Sequence, residues 1–226
     1  MTALRLVVFD VDGTLVDSQG DILAAMRTAF ERAELMAPDR DTILSIVGLS
    51  LDVALPRLAP DAAPALHTRM VEWYKEAYMQ LRQHQSVDQS SPLYPHVRDV
   101  LDRLHSMPDI LLGVATGKSR RGLDKLLEGH DLRGHFVTQQ VADHHPSKPH
   151  PSMVQAALAE TGIEAHDAVM VGDTTYDMEM ARAAGVRPIG VSWGYHPRAA
   201  LHAADQIIDD IRDLPRLLAH LQEPST

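Results

Sequence analysis

The chain has 226 residues, enough for one large domain or a core with a smaller insert, and its 45% hydrophobic and 23% charged content suits a folded globular protein. A formal net charge of −10 argues against nucleic acid or an anionic membrane as partner, while a bound cation and a few local bases still leave room for an anionic substrate. The absence of cysteine excludes disulfides, a thiol nucleophile and Cys-ligated zinc, and no apolar run approaches the ~20 residues that span a bilayer.

Leu6-Val7-Val8-Phe9 is a short apolar run closed by Asp and Gly, which predicts a buried strand. Entry into Asp10 and Asp12 after so short a run is unlike a signal peptide, so a cytoplasmic protein is expected. Directly behind the strand stands Asp10-Val11-Asp12-Gly13-Thr14-Leu15. Two carboxylates two residues apart, where a strand ends, would project together into the crevice at the sheet's carboxyl edge, where open α/β sheets bind ligands. Asp-x-Asp-Gly-Thr arises by chance at about one position in 10^5. A polar turn accounts for one Asp-Gly but not for the whole string.

From Ser18 to Gln89 no strand is expected. Ile22, Met26, Ala29 and Ala33 recur at helical spacing, with Asp21 near the start; Pro38-Asp39 opens a second helical pattern through Ile43 and Ile46-Val47, stopped at Gly48. Residues 62–83 read as a longer helix carrying Leu66, Met70, Trp73, Ala77 and Leu81, with Trp73, Tyr74 and Tyr78 as packing residues, and 88–95 read as a linker. Beyond it, Ile110–Ala115, Ala168–Val171 and Pro188–Val191 read as buried strands, separated by helices at about 97–106, 119–128, 151–161 and 175–184. A last helix carries Ile211, Leu214, Leu217, Leu218 and Leu221. This alternation predicts an α/β fold: a Rossmann-like, doubly wound parallel sheet core (1–17 and 91–226) with an all-helical cap (18–90) inserted after the first strand. A cap so placed covers the crevice that holds Asp10 and Asp12.

Three more polar clusters follow strands or open helices. In Ala115-Thr116-Gly117-Lys118-Ser119, Thr116 offers a hydroxyl and Gly117 a turn that exposes amides, a natural phosphate cradle. Taken alone, Thr116 or Ser119 serves equally as a helix cap. In Ser147-Lys148-Pro149-His150-Pro151 a lysine sits in restricted backbone, where it either neutralises a phosphate or is simply solvated. In Gly172-Asp173-Thr174-Thr175-Tyr176-Asp177 the carboxylates four apart are either hard ligands suited to Mg²⁺ or acidic residues matched to a helix start. Lys118, Arg120, Arg121 and Lys125 read as a solvated helix face, with attraction of a substrate anion as the alternative, and the spacing of His144, His145 and His150 fits no zinc pattern.

Together, Asp10–Ser18, Thr116-Gly117-Lys118, Lys148-Pro149 and Gly172-Asp173 through Asp177, in this order, resemble the haloacid dehalogenase (HAD) superfamily, in particular its phosphoglycolate-phosphatase-like members with a helical cap. Ala183-Ala184-Gly185 and Trp193-Gly194-Tyr195 are similar to that family too, whereas His96 stands where relatives often have Gly. The resemblance implies a Mg²⁺-dependent phosphatase of a small phosphorylated metabolite. Asp10 would be the nucleophile that forms an aspartyl-phosphate, and Asp12 the acid/base. Asp10, the Asp12 carbonyl, Asp173 and, directly or indirectly, Asp177 would hold the metal; Thr116, Gly117 and Lys148 would bind the phosphoryl oxygens. Gly48 and Ser50 lie where related caps carry a specificity loop, although a helix stop followed by a helix cap explains them more simply. A monomer or homodimer is expected. A phosphosugar mutase is the alternative, and a phospho-receiver fits poorly because Asp12 should promote hydrolysis. A dehalogenase would leave Asp12 little to do.

Overall fold

The computed structural model describes residues 4–83 and 85–220. Six strands form one parallel sheet in the order β3-β2-β1-β4-β5-β6: β1 (Arg5–Phe9), β2 (Ile110–Thr116), β3 (Phe136–Val141), β4 (Ala168–Gly172), β5 (Arg187–Val191) and β6 (Gln206–Ile208). Strand β1 is flanked on both sides and fully buried from Leu6 to Phe9, so it reads there as a continuous apolar run. Its side chains nevertheless alternate between two cores: Val7 and Phe9 join one, Leu6 and Val8 the other.

The first core is closed by α6 (Val97–His105), α7 (Arg120–Gly129) and α10 (Leu214–His220); the second by α8 (Ser152–Thr161) and α9 (Thr175–Ala183). The fold is thus a three-layered, Rossmann-like sandwich, as the strand and helix alternation predicts. Its strand order reverses between β1 and β4, and both carboxylate motifs leave the sheet there, Asp10 after β1 and Asp173 after β4. The Asp10 amide still donates to the Val171 carbonyl at 2.9 Å, which fixes one motif against the other.

Between β1 and α6 the chain forms only helices: α1 (Gln19–Arg32), α2 (Arg40–Leu44), α3 (Leu51–Leu58), α4 (Pro64–Leu81) and the short α5 (Val87–Ser90). They enclose a cluster of their own, including Ile22, Met26, Phe30, Ile43, Leu55 and Met70. Asp39 caps α2, accepting from the Thr42 amide at 2.8 Å. The chain enters and leaves this helical insert on paired backbone: Asp17 donates to the Pro92 carbonyl and Tyr94 to the Leu15 carbonyl.

Five features differ from the sequence expectation. Strands β3 and β6 and helix α3 have no counterpart in that expectation, and α5 overlaps the start of the expected linker. The last helix begins later, at Leu214, after a single 3₁₀ turn at Ile211–Asp213; Leu221 lies outside the described residues. No helix among the described residues is long and apolar enough to cross a membrane.

Candidate active site

The ends of β1, β2 and β4 and the loop before α8 bring Asp10, Asp12, Thr116, Lys148, Asp173 and Asp177 together at the sheet's carboxyl edge, all of them buried. Lys148 is the hub. Its ammonium donates to Asp10 Oδ1 and to Asp177 Oδ1, both at 2.7 Å, and its side chain is fully buried. Asp177 also fulfils the helix-start reading: its Oδ2 accepts from the Thr174 amide at 3.1 Å and hydroxyl at 2.7 Å, within a capping box at the start of α9. Asp173 is held on both oxygens, Oδ1 by the Thr14 hydroxyl at 2.9 Å and Oδ2 by the Tyr195 amide at 2.8 Å. The backbone comes so close to Asp173 that a Cβ on Gly13, which has φ +87°, would lie 2.2 Å from its Oδ2. A Cβ on Gly194 would lie 2.1 Å from the Asp173 Cβ. Both positions require glycine.

One carboxylate oxygen of each of Asp10, Asp173 and Asp177 lies within 4.8 Å of the others. Burial pushes the Asp10 carboxyl up to about 7; Lys148 pulls it back, while Asp177 and Asp12 add repulsion. Burial, followed by Asp10 and Asp177, pushes Asp173 well above the usual carboxylate range. Burial works against the charge on Lys148, but Asp10 and Asp177 outweigh it and hold the ammonium above its ordinary value. With all of these carboxylates ionised, the site would carry more negative charge than one lysine balances. Asp10 Oδ2 is buried without a hydrogen-bond partner. An orphaned carboxylate oxygen amid hard oxygen donors fits a small divalent cation of the Mg²⁺ type.

Asp12 faces a different environment. Its Oδ1 accepts from the Lys118 ammonium at 2.8 Å and from the Ser18 hydroxyl. Against the pull of burial, Asp12 and then Tyr78 hold Lys118 above its ordinary value. The solvated-face reading therefore holds for the exposed Arg121 and Lys125 but fails for Lys118. Lys118 precedes α7 rather than lying on it, and Ser119 caps that helix by accepting from the Gly122 amide at 3.2 Å. Thr116 is buried at the end of β2, and its Oγ1 accepts from the Lys118 amide at 3.2 Å. His145 is hydrogen-bonded to Ser152 and Gln140, each through one ring nitrogen.

The helical insert lies over this edge. Its loop 45–50 meets the core at several points: Tyr176 donates to the Ser45 carbonyl at 3.0 Å, His196 Nε2 lies 3.0 Å from that same oxygen, and the Ser50 amide donates to Ser147 Oγ at 2.9 Å. Gly48 has φ +98°, and Gly117 sits so close that a Cβ there would lie 2.8 Å from the Gly48 carbonyl oxygen. Between insert and core lies a cavity of about 820 Å³, lined by Asp12, Gly48, Gly117 and Lys118 among others. Ser50 opens α3, and its hydroxyl is buried without a partner. Tyr74 and Tyr78, expected only to pack the insert, also line the cavity. Their rings stack with centroids 5.8 Å apart.

A family model described as haloacid dehalogenase-like hydrolase matches residues 7–191. The chain belongs to the haloacid dehalogenase-like hydrolases. Within that family it groups with the phosphoglycolate-phosphatase-like members. A Dickeya dadantii protein named "Probable phosphatase IndB" is 37% identical over 209 residues, covering 91% of this chain and 89% of that protein. A phosphoglycolate phosphatase of Pectobacterium atrosepticum is 29% identical, covering 97% and 94%. Among solved structures, a haloacid dehalogenase-like family hydrolase from Streptococcus pneumoniae superposes with a TM-score of 0.81 at 25% identity, covering 98% of this chain and all of that one.

The residues that sequence reasoning missed are Thr14, Lys118 and Tyr78. Thr14 stands inside a quoted motif without an assigned role, and its hydroxyl holds Asp173. Lys118 and Tyr78 meet across the contact between insert and core, the ammonium 3.3 Å from the hydroxyl, which no local pattern encodes.

Proposed function

We propose that this HAD-like hydrolase is a Mg²⁺-dependent phosphatase of a phosphorylated metabolite, acting through an aspartyl-phosphate on Asp10. The observation that carries the reading is the orphaned Oδ2 of Asp10, buried at the centre of a carboxylate and lysine cluster that one divalent cation would neutralise. Asp10 and Asp173 would hold the cation, which when bound keeps both as carboxylates and offsets charge on the phosphoryl oxygens. Asp177, with one oxygen on Lys148 and the other on Thr174, is better placed to fix Lys148 than to be a ligand.

A carboxylate oxygen of Asp10 attacks phosphorus, and the bond to the leaving oxygen breaks with its electron pair. Asp12 supplies the proton to that oxygen, then takes one from the water that cleaves the aspartyl-phosphate. Both Asp12 contacts fall on Oδ1, and Oδ2 carries no hydrogen bond among the described residues, so it is the oxygen available for this work. Lys148, the Thr116 hydroxyl and the Gly117 amide would steady the transferring phosphoryl group; each such donor is worth about 3–4 kcal/mol of barrier. The insert serves as a lid, its loop 45–50 resting on Ser147, Tyr176 and His196 to keep water out of the first step.

Release of phosphate from 4-nitrophenyl phosphate, in Mg²⁺ or in EDTA, tests the proposal for wild type and Asp10→Asn. Release that requires Mg²⁺ and vanishes in the variant is expected. Equal release from both proteins would overturn it, and a phosphosugar isomerised without free phosphate would point to the mutase.

A further inference from the structure

The loop that delivers Lys148 has little of its own to hold it in shape. Residues 146–151 run Pro-Ser-Lys-Pro-His-Pro, so three of the six positions have no N–H to donate. Within the loop the His150 amide donates to the Ser147 carbonyl at 3.1 Å. Pro146 and His150 are exposed, Ser147, Pro149 and Pro151 half-buried, and Lys148 alone is buried. The insert adds a contact, from the Ser50 amide to Ser147 Oγ, which is lost whenever the insert lifts to admit substrate. Yet the ammonium carried by this loop meets two carboxylates at 2.7 Å each.

Two histidines whose spacing suits no metal close the loop across its base. His145 Nδ1 lies 2.8 Å from the Oγ of Ser152, the first residue of α8, and His150 Nδ1 accepts from the Ser152 amide at 3.3 Å. His145 is anchored in turn, its Nε2 lying 2.9 Å from Gln140 Oε1 on β3. Gln140 donates to the Thr138 hydroxyl at 2.8 Å, and Thr138 donates to Glu160 on α8. These partners fix where each hydrogen sits. The Gln140 oxygen can only accept, so His145 carries its proton on Nε2, and its bare Nδ1 accepts from the Ser152 hydroxyl. The donors therefore run one way, from Ser152 through His145, Gln140 and Thr138 to the Glu160 carboxylate, and each bond polarises the next. Burial, and then His144, hold the His145 ring below its ordinary value against the pull of Glu160, which keeps the ring in this neutral form.

We propose that His145 and Ser152 form a clasp that positions Lys148: closed across the base of loop 146–151 and anchored on the sheet through Gln140, it holds the ammonium between Asp10 and Asp177 while the insert opens and closes. Both are positioning residues that act through Lys148. The consequence for turnover rests on the phosphatase reading, whereas the placement of Lys148 is testable without it.

Ser152→Ala removes the hydroxyl alone, Ser152→Thr keeps one, and His145→Phe keeps a ring without its two polar contacts. Brief acetylation with acetic anhydride in EDTA, read by peptide mapping, reports the enclosure of Lys148 without reference to activity. Lys148 should label several-fold faster in Ser152→Ala and His145→Phe, and at the wild-type rate in Ser152→Thr. Lys118, nearly as enclosed but outside the loop, should keep its wild-type rate in all three, whereas a general loosening would raise both lysines. With 4-nitrophenyl phosphate and Mg²⁺, kcat of Ser152→Ala should fall about tenfold with KM little changed, because Lys148 acts on the transferring phosphoryl group. In Lys148→Met the same substitution should cost nothing further. Lys148 labelling that is unchanged in both clasp variants, or that rises together with Lys118, would overturn the clasp. So would a kcat loss that carries over undiminished into Lys148→Met. Wild-type protein that releases no phosphate from this ester fails the phosphatase reading instead, and the labelling then decides the clasp by itself.

Discussion

Replacing Lys148 with methionine keeps the length of the side chain and removes its charge. In the wild-type protein that charge lies 2.7 Å from each of two buried carboxylates. Deleting one partner of a buried pair costs about 3–5 kcal/mol, because the remaining charge is left uncompensated. Asp10 is already pushed up to about 7 and relieves part of that cost by taking a proton, so the lower end, about 3 kcal/mol, applies at neutral pH. For a chain of this size 1 kcal/mol moves the melting temperature by about 2–4 °C, giving a drop of about 6–12 °C. Differential scanning calorimetry in EDTA at pH 7.5 reads this directly. The deficit should shrink at pH 5.5, where the carboxylates accept protons, and in Mg²⁺, which supplies the missing positive charge. Phosphate release by Lys148→Met should fall about 10²–10³-fold even where Mg²⁺ restores stability. A variant that melts with the wild type in EDTA and turns over at its rate would refute the placement of Lys148 at the centre of the site.

Asp12→Ala should lose about 10²–10⁴-fold in turnover yet still accumulate phosphoenzyme from an activated donor such as acetyl phosphate; wild-type turnover would remove Asp12 from the acid/base role. In EDTA, the native protein keeps on Asp10 a proton that the unfolded chain releases near pH 3.8, so this group's contribution to stability falls as pH rises from about 4 to about 7. Because Mg²⁺ competes with that proton, the rise in melting temperature on adding Mg²⁺ should be largest above pH 7 and fade by pH 5.5; a rise independent of pH would place the cation elsewhere. His96 opens α6 at φ 65°, a conformation that costs a non-glycine residue about 1–2 kcal/mol. Its ring Nδ1 lies 3.9 Å from an Asp99 carboxylate oxygen on the surface, a contact that returns little. After the backbone entropy of glycine, His96→Gly should gain about 0.5–1 kcal/mol, or about 1–4 °C, whereas a fall in melting temperature would show that the histidine ring holds the hinge by contacts.

The cluster at the sheet's carboxyl edge was legible in the sequence because its residues sit at strand ends, where local pattern and topology agree. Buried β1, β2, β4 and β5 announce themselves as apolar runs, and the carboxylates follow two of them. Strand β3 escaped because it carries Thr138, Gln139 and Gln140. Its buried polar side chains are satisfied by one another, Gln140 donating to the Thr138 hydroxyl at 2.8 Å and Thr138 to Glu160. As an edge strand it also exposes Val137, so hydrophobic periodicity is weak. Strand β6 is three residues long, and α3 contains Pro56, an ordinary helix breaker. Asp177 is instructive, because one oxygen serves the helix start through Thr174 while the other holds Lys148. Lys118 and Arg82 were not legible. The partner of Lys118, Asp12, lies 106 residues away within the core, and that of Arg82, Asp21, lies 61 residues away within the insert, so each pair is made only by the folding of its own unit.

The central claim is the covalent step on Asp10. Rapid quench of wild-type protein turning over acetyl phosphate in Mg²⁺, followed by borohydride reduction and peptide mapping, reads it directly, since an acyl phosphate is reduced where a free carboxylate is not. The account predicts conversion of Asp10 to homoserine, absent without Mg²⁺ and enriched in Asp12→Ala. Conversion at another residue, or steady phosphate release with Asp10 unmodified at every quench time and in Asp12→Ala, would contradict it.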